Sequence, residues 1–151
     1  VMAVQNLGLK KTAQIVIIGT NATINSRLYQ KHLQKLGFVN LRAIATPLLV
    51  NIVEEGLYPS PILDEALQFY FKGVKSPDVI ILACTHFPFL SAEIAKIYPN
   101  AKLIHSGEAI MQQLRISGLL SKKNKNFNTK LKLFSSSDEA NFQKTAKRWL
   151  A

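Results

Sequence analysis

Two short stretches, "QIVIIGT" (Gln14–Thr20) and "VIILA" (Val79–Ala83), restrict the fold more than any other part of the chain. Each is a run of Ile, Val and Leu with no polar residue interposed until its end. A strand with one face in water alternates apolar and polar residues, whereas a strand covered on both faces does not. These runs therefore predict strands buried on both sides, which means a parallel sheet clothed in helices.

The intervening sequence has the matching periodicity. Asn21–Leu36 carries Ile24, Leu28, Leu33 and Leu36 at helical spacing, and Gly37 stands where a C-terminal cap glycine belongs. "LRAIAT" (Leu41–Thr46) reads as a second strand, and Leu48–Gly56 as a short helix broken by the turn "YPSP". Ile62–Phe71 returns to helix, with Ile62, Leu63, Ala66, Leu67 and Tyr70 on its inner side. After Val79–Ala83, a helix over Phe89–Tyr98 turns Leu90, Ile94 and Ile97 inward. "KLIHS" (Lys102–Ser106) predicts a strand and Gly107–Ile116 a helix. "KLKLFSS" (Lys130–Ser136) alternates as a strand would, and Ser136 with Glu139 has capping-box spacing ahead of a last helix to about Leu150. The fold class is α/β, with parallel sheets and helical crossovers.

At 151 residues, 48% hydrophobic and 19% charged, the chain suits one domain, or one domain plus part of another. No apolar run approaches the roughly 20 residues of a membrane helix, so no membrane partner is expected. A single cysteine excludes an internal disulfide and favours a reducing compartment. The chain opens on Val1 rather than Met, as a fragment or processed product would. The net charge of +10 admits an anionic substrate or a nucleic acid. Five of the lysines lie in "KKNKNFNTKLK" (Lys122–Lys132), read as a solvated loop, and no nucleic-acid motif accompanies them.

Ligands of open α/β sheets collect at the carboxyl ends of strands. Two such ends are rich in small polar groups, Gly19-Thr20-Asn21-Ala22-Thr23 and Cys84-Thr85-His86. The first has neither the phosphate-loop nor the dinucleotide glycine pattern, so a small anion fits it better than a nucleotide. Thr20 and Thr23 are equally good helix caps. Cys84 is either an inert core thiol or a reactive one. It closes a strand, a helix start is expected just after it, and His86 is two residues on. One C-x-H pair is too few ligands for a metal. Glu54 and Glu55 are solvated surface, or one of them orients a histidine near the thiol.

"IIGTNATINSRLYQ", "VEEG", "IILACTHFPFL" and "IHSGEAI" stand in the order and spacing of the glutamate racemases, and the resemblance covers essentially the whole chain. It implies cofactor-independent interconversion of L- and D-glutamate for peptidoglycan synthesis, in the cytoplasm, by an enzyme that can form homodimers at full length. Two cysteines of such enzymes act on opposite faces of the substrate α-carbon. Cys84 matches the second, on the L-glutamate face, His86 the histidine that assists it, and Glu54 rather than Glu55 a glutamate supporting that histidine. Thr85, with His86, matches a substrate-binding position, and Thr20 and Thr23 match threonines that hold a substrate carboxylate.

The resemblance also implies what this chain lacks. The first cysteine, in an A-C-N-T-type motif, and the Asp-Ser and Tyr-Gly pairs belong to an N-terminal segment of the family and have no counterpart here. Residues 1–106 are then expected to be most of a central α/β domain. Residues 107–151 would be the returning end of a second, similar one. The chain alone is expected not to racemise glutamate. Two alternatives stand beside this reading: a basic module binding anions or nucleic acid through Lys122–Lys132, and a racemase of another amino acid, for which His86→Glu is the informative exchange.

Overall fold

The computed structural model describes residues 2–119, 132–136 and 138–150. It divides into two compact units, residues 1–113 and 114–151.

The first unit is built on four parallel strands, β1 (Ile15–Gly19), β2 (Leu41–Ala45), β3 (Val79–Ala83) and β4 (Lys102–His105), in the order β2-β1-β3-β4. The two uninterrupted apolar runs are the two central strands. β1 is buried along its whole length and β3 at four of five positions, while the outer strands β2 and β4 are only partly covered. Ile15, Ile17, Val79, Ile81 and Ile104 form one core cluster with Val4, Leu33 and Phe38. Val16, Ile18, Ile80 and Leu82, the alternate residues, are equally buried and must face the other way. That double burial is why neither strand carries a polar residue.

Among the helices, α1 (Met2–Gln5) gave no sequence signal. The segment expected as one helix over Asn21–Leu36 is two, α2 (Asn21–Asn25) and α3 (Leu28–Lys35). The cause is Ser26, whose hydroxyl donates to the Thr23 carbonyl (2.7 Å) and accepts the Leu28 N–H (3.3 Å), drawing both groups out of the helical ladder. Arg27 then takes a left-handed conformation, φ 55°. In consequence Leu28 is exposed rather than inward, and Leu33 is the residue α3 buries. Gly37 does end α3, at φ 87°, a value that costs glycine little.

α4 (Pro47–Glu54) and α5 (Pro61–Tyr70) each begin with proline at the first helical position, where no N–H is needed. Ser60 caps α5 by accepting the Leu63 N–H at 3.3 Å. Leu63, Ala66 and Leu67 are buried as expected, but Ile62 is exposed. The helix expected over Phe89–Tyr98 is a 3₁₀ turn (Phe87–Leu90) followed by α6 (Ser91–Ile97). Pro88 cannot donate, and the Ser91 hydroxyl binds the Pro88 carbonyl at 2.7 Å, so the chain tightens before α6 starts. Phe87, Leu90 and Ile94 are buried, whereas Ile97 is exposed. α7 spans Ser106–Ile116.

In the second unit α8 runs over Glu139–Leu150. Asp138, not Ser136, immediately precedes it, and the Asp138 carbonyl accepts the Phe142 N–H at 3.0 Å, so the expected capping box is out of register. Lys132–Ser136 forms no strand and Phe134 is exposed. Alternation makes a strand only beside a partner that takes its hydrogen bonds, and the sheet of the described residues does not include this segment. The lysine run falls outside the described residues except for Lys132. No helix among the described residues is long and apolar enough to cross a membrane.

Candidate active site

β1 and β3 lie side by side in register, with Gly19 opposite Ala83. Thr20 and Cys84 are the next residues, so they leave the sheet together at its carboxyl edge. From β1 the connection runs to β2, and from β3 it runs to β4 on the opposite side. This reversal opens a crevice between the two strand ends, the usual ligand position in such sheets.

Cys84 is half-buried, and its Sγ lies 3.6 Å from His86 Nδ1. The other ring nitrogen, Nε2, lies 3.1 Å from Glu54 Oε1. The His86 side chain is 21% exposed and that of Glu54 55%, so the line from sulfur to carboxylate runs from the crevice out to solvent. Glu54 is the last residue of α4, and a carboxylate there opposes the helix dipole. Gly56, at φ 71°, lets the chain turn immediately afterwards. Glu55 is exposed and makes no side-chain contact with His86.

In the tautomer with hydrogen on Nε2, His86 donates to Glu54 and leaves Nδ1 to accept the thiol proton. The same line can return that proton. The helix start expected after the thiol is the 3₁₀ turn at Phe87, with α6 beginning only at Ser91, and the Phe87 N–H donates to the Cys84 carbonyl at 3.2 Å. Among the described residues, the side chain that meets the sulfur is that of His86.

Across the crevice, Thr20 caps α2. Its Oγ1 accepts the Thr23 N–H at 3.2 Å and lies 3.1 Å from Thr23 Oγ1. Capping and binding are compatible, since one hydroxyl hydrogen is used between the two threonines and the other remains available to an anion. The Thr20 N–H lies opposite the Ala83 carbonyl, at the last rung of the β1–β3 ladder. Thr85 is exposed beside Cys84 and makes no hydrogen bond among the described residues. No cluster of three or more His, Cys, Asp or Glu among the described residues is placed to hold a metal ion.

Two polar residues at this edge had no signal in the sequence. Thr46, directly after β2, is fully buried, and its N–H donates to the Gly19 carbonyl at 2.8 Å. The Tyr70 hydroxyl of α5 accepts the Leu48 N–H at 3.2 Å. A lone Thr before Pro47 reads only as a helix start, and Tyr70 only as an inner-face aromatic.

An open parallel α/β sheet with a thiol, an imidazole and a carboxylate in line at its switch point defines an α/β protein equipped for proton transfer. Within that class the chain is similar over nearly its whole length to glutamate racemases. It is 47% identical over 152 residues to the glutamate racemase of a Nitratiruptor species, with 99% of this chain and 58% of that protein aligned. The crystal structure of the Campylobacter jejuni glutamate racemase matches with a TM-score of 0.86 at 41% identity, over 99% of this chain and 59% of that one. The Francisella tularensis glutamate racemase, solved in complex with D-glutamate, matches with a TM-score of 0.70 at 25% identity, over 91% of this chain and 53% of that one. No protein-family model matches the chain. The chain thus spans about three fifths of the length of the curated relatives it matches.

Proposed function

We propose that this chain supplies one wall of a cofactor-independent glutamate racemase site, serving peptidoglycan synthesis in the cytoplasm. The Cys84–His86–Glu54 line carries the proposal. The Cys84 thiolate takes the α-proton from the L-glutamate face. The C–H electron pair stays on carbon and spreads into the carboxylate, and the S–H returns a proton to the same face. His86 shares the sulfur's proton, and Glu54 holds His86 in place. Thr20, Thr23 and Thr85 bind the amino-acid head, where donors aimed at the carboxylate stabilise the charge that develops.

Inversion needs a second acid–base group on the opposite face. The chain has one cysteine, so the second group comes from outside these 151 residues. In the complete enzyme, residues up to about Ser106 would form most of the central domain and the remainder would complete the other one. Such enzymes would pair as homodimers.

The test is deuterium incorporation at Cα of L-glutamate in D₂O. The chain should exchange L-glutamate with retention of configuration, leave D-glutamate unexchanged and make no D-glutamate. Cys84→Ser should abolish the exchange, and Glu54→Gln should slow it by about three- to tenfold, the size of one partly exposed hydrogen bond to a charge. Rapid racemisation by the chain alone, or exchange that persists in Cys84→Ser, overturns the assignment.

A further inference from the structure

The contact between Glu54 and His86 joins the end of α4 to the connection that follows β3. The Glu54 carboxylate is 55% exposed, so this contact competes with water and, alone, lets the two segments turn about it. A second contact joins the same two segments a little further along each. The rings of Tyr58 and Phe89 lie 6.3 Å apart between centroids, tilted by 42°, within the range of attractive aromatic pairs.

Each ring stands on backbone that is itself held. After α4 the Gly56 N–H donates to the Val53 carbonyl at 3.1 Å and the Leu57 N–H to the Ile52 carbonyl at 2.9 Å. The Ser60 hydroxyl then closes on the Leu57 carbonyl at 2.6 Å. On the other side the Phe89 N–H donates to the His86 carbonyl at 3.2 Å, so a displacement of Phe89 reaches the residue that carries the imidazole. The pair adds little to the core. Phe87, fully buried next to His86, already anchors the turn from within, whereas Tyr58 and Phe89 are only half-buried. The Tyr58 hydroxyl makes no hydrogen bond among the described residues, so the ring is the part that acts. Two separate contacts between two segments fix their relative orientation as well as their distance, which is what a proton-transfer line needs.

We infer that Tyr58 is a positioning residue: by packing on Phe89 it fixes the turn that carries His86, so that the imidazole meets Cys84 Sγ and Glu54 together. What the positioned imidazole does rests on the glutamate site proposed above; the brace itself does not.

The test has two readouts, with thermal melts of each variant. The first is the ¹⁵N shifts of the His86 ring, which report its contact with Glu54 whether or not glutamate binds. Glu54→Gln should move the Nε2 resonance in the unmodified chain and move it far less in Tyr58→Leu. The second is deuterium exchange at Cα of L-glutamate. Tyr58→Leu should slow it by about two- to tenfold, the effect of one aromatic pair, in turnover rather than in KM, with the melting temperature within a few degrees. Tyr58→Phe, which keeps the ring, should stay within about twofold of the unmodified chain. Phe89→Leu should act as Tyr58→Leu does, and the two together should do little more than either, since each removes the same contact. An equal response of the His86 ring to Glu54→Gln with and without the Tyr58 ring overturns the brace. So does a Tyr58→Phe chain as impaired as Tyr58→Leu, or exchange that falls only in step with lost stability. An unmodified chain that exchanges no L-glutamate overturns the glutamate site, and the ring shifts still decide the brace.

Discussion

Gly19→Ala sets two effects of opposite sign against each other at the base of the site. In the unfolded chain, alanine has less freedom to lose than glycine, and this alone stabilises a strand position by about 0.5–1 kcal/mol. In the fold, the new Cβ would lie 3.2 Å from Thr23 Cγ2, 3.3 Å from Thr23 Cβ and 3.4 Å from Ile24 Cδ1. These are tight contacts, and they press on α2 as it folds back over the strand end. Overpacking of this kind costs about 1–3 kcal/mol, so packing wins by about 1 kcal/mol. For a chain of this size that lowers the melting temperature by about 2–4 °C. The escape route is for α2 to move outward by a few tenths of an ångström. That movement lengthens the bond from the Thr23 N–H to Thr20 Oγ1, already 3.2 Å, so glutamate binding should weaken as well. Thermal and urea melts with a glutamate titration measure both. Adding Thr23→Ser removes Cγ2 and keeps the hydroxyl, and should restore part of the lost stability. A Gly19→Ala chain as stable as its parent, or a double variant no better than the single, would refute the steric account.

Two further outcomes follow from the same packing. Leu67, at 0% exposure on α5, should cost about 2–5 kcal/mol when replaced by alanine, read from urea melts. The Tyr98 phenol is pushed upward from 10.0 by burial, an effect partly opposed by the Arg42 charge, and its hydroxyl donates to the Val74 carbonyl at 3.2 Å. The fold thus favours the neutral phenol, a contribution present below pH 10 and lost as pH rises through the raised value. Tyr98→Phe should be less stable at neutral pH by about 1 kcal/mol, and the gap should narrow at about pH 11, beyond the ordinary phenol range. A gap that stays constant would refute the assignment.

The sheet was legible because β1 and β3 are uninterrupted apolar runs, and only a two-sided covering tolerates that. Helix interiors were less legible because a single serine can redirect the backbone. Ser26 looks like any polar residue on a helix face, yet it splits α2 from α3 and turns Leu28 outward. Ile62 and Ile97 had the right spacing and the wrong face, since periodicity gives a stripe but not its width. "KLKLFSS" shows the converse: an alternating pattern is not a strand without a partner. At the site, Cys84, His86 and the two threonines were visible from strand-end position. The residues alone left Glu54 and Glu55 open; only the family resemblance preferred Glu54, which lies 3.1 Å from His86, and Thr46 required burial, which a threonine does not advertise.

The order β2-β1-β3-β4 has a consequence beyond the crevice. Among the described residues each outer strand is hydrogen-bonded to a strand on one side only, and a free row of backbone groups invites pairing with any extended chain. Both outer strands are short, five residues and four. Each also carries a cation, Arg42 in β2 and Lys102 in β4. Arg42 donates to the carbonyls of Gly73 and Lys72 at 2.7 Å each, which fastens the segment after α5 beside the edge. The apolar runs that make the fold readable are thus kept to the middle of the sheet, and its margins are guarded against aggregation by charge and brevity.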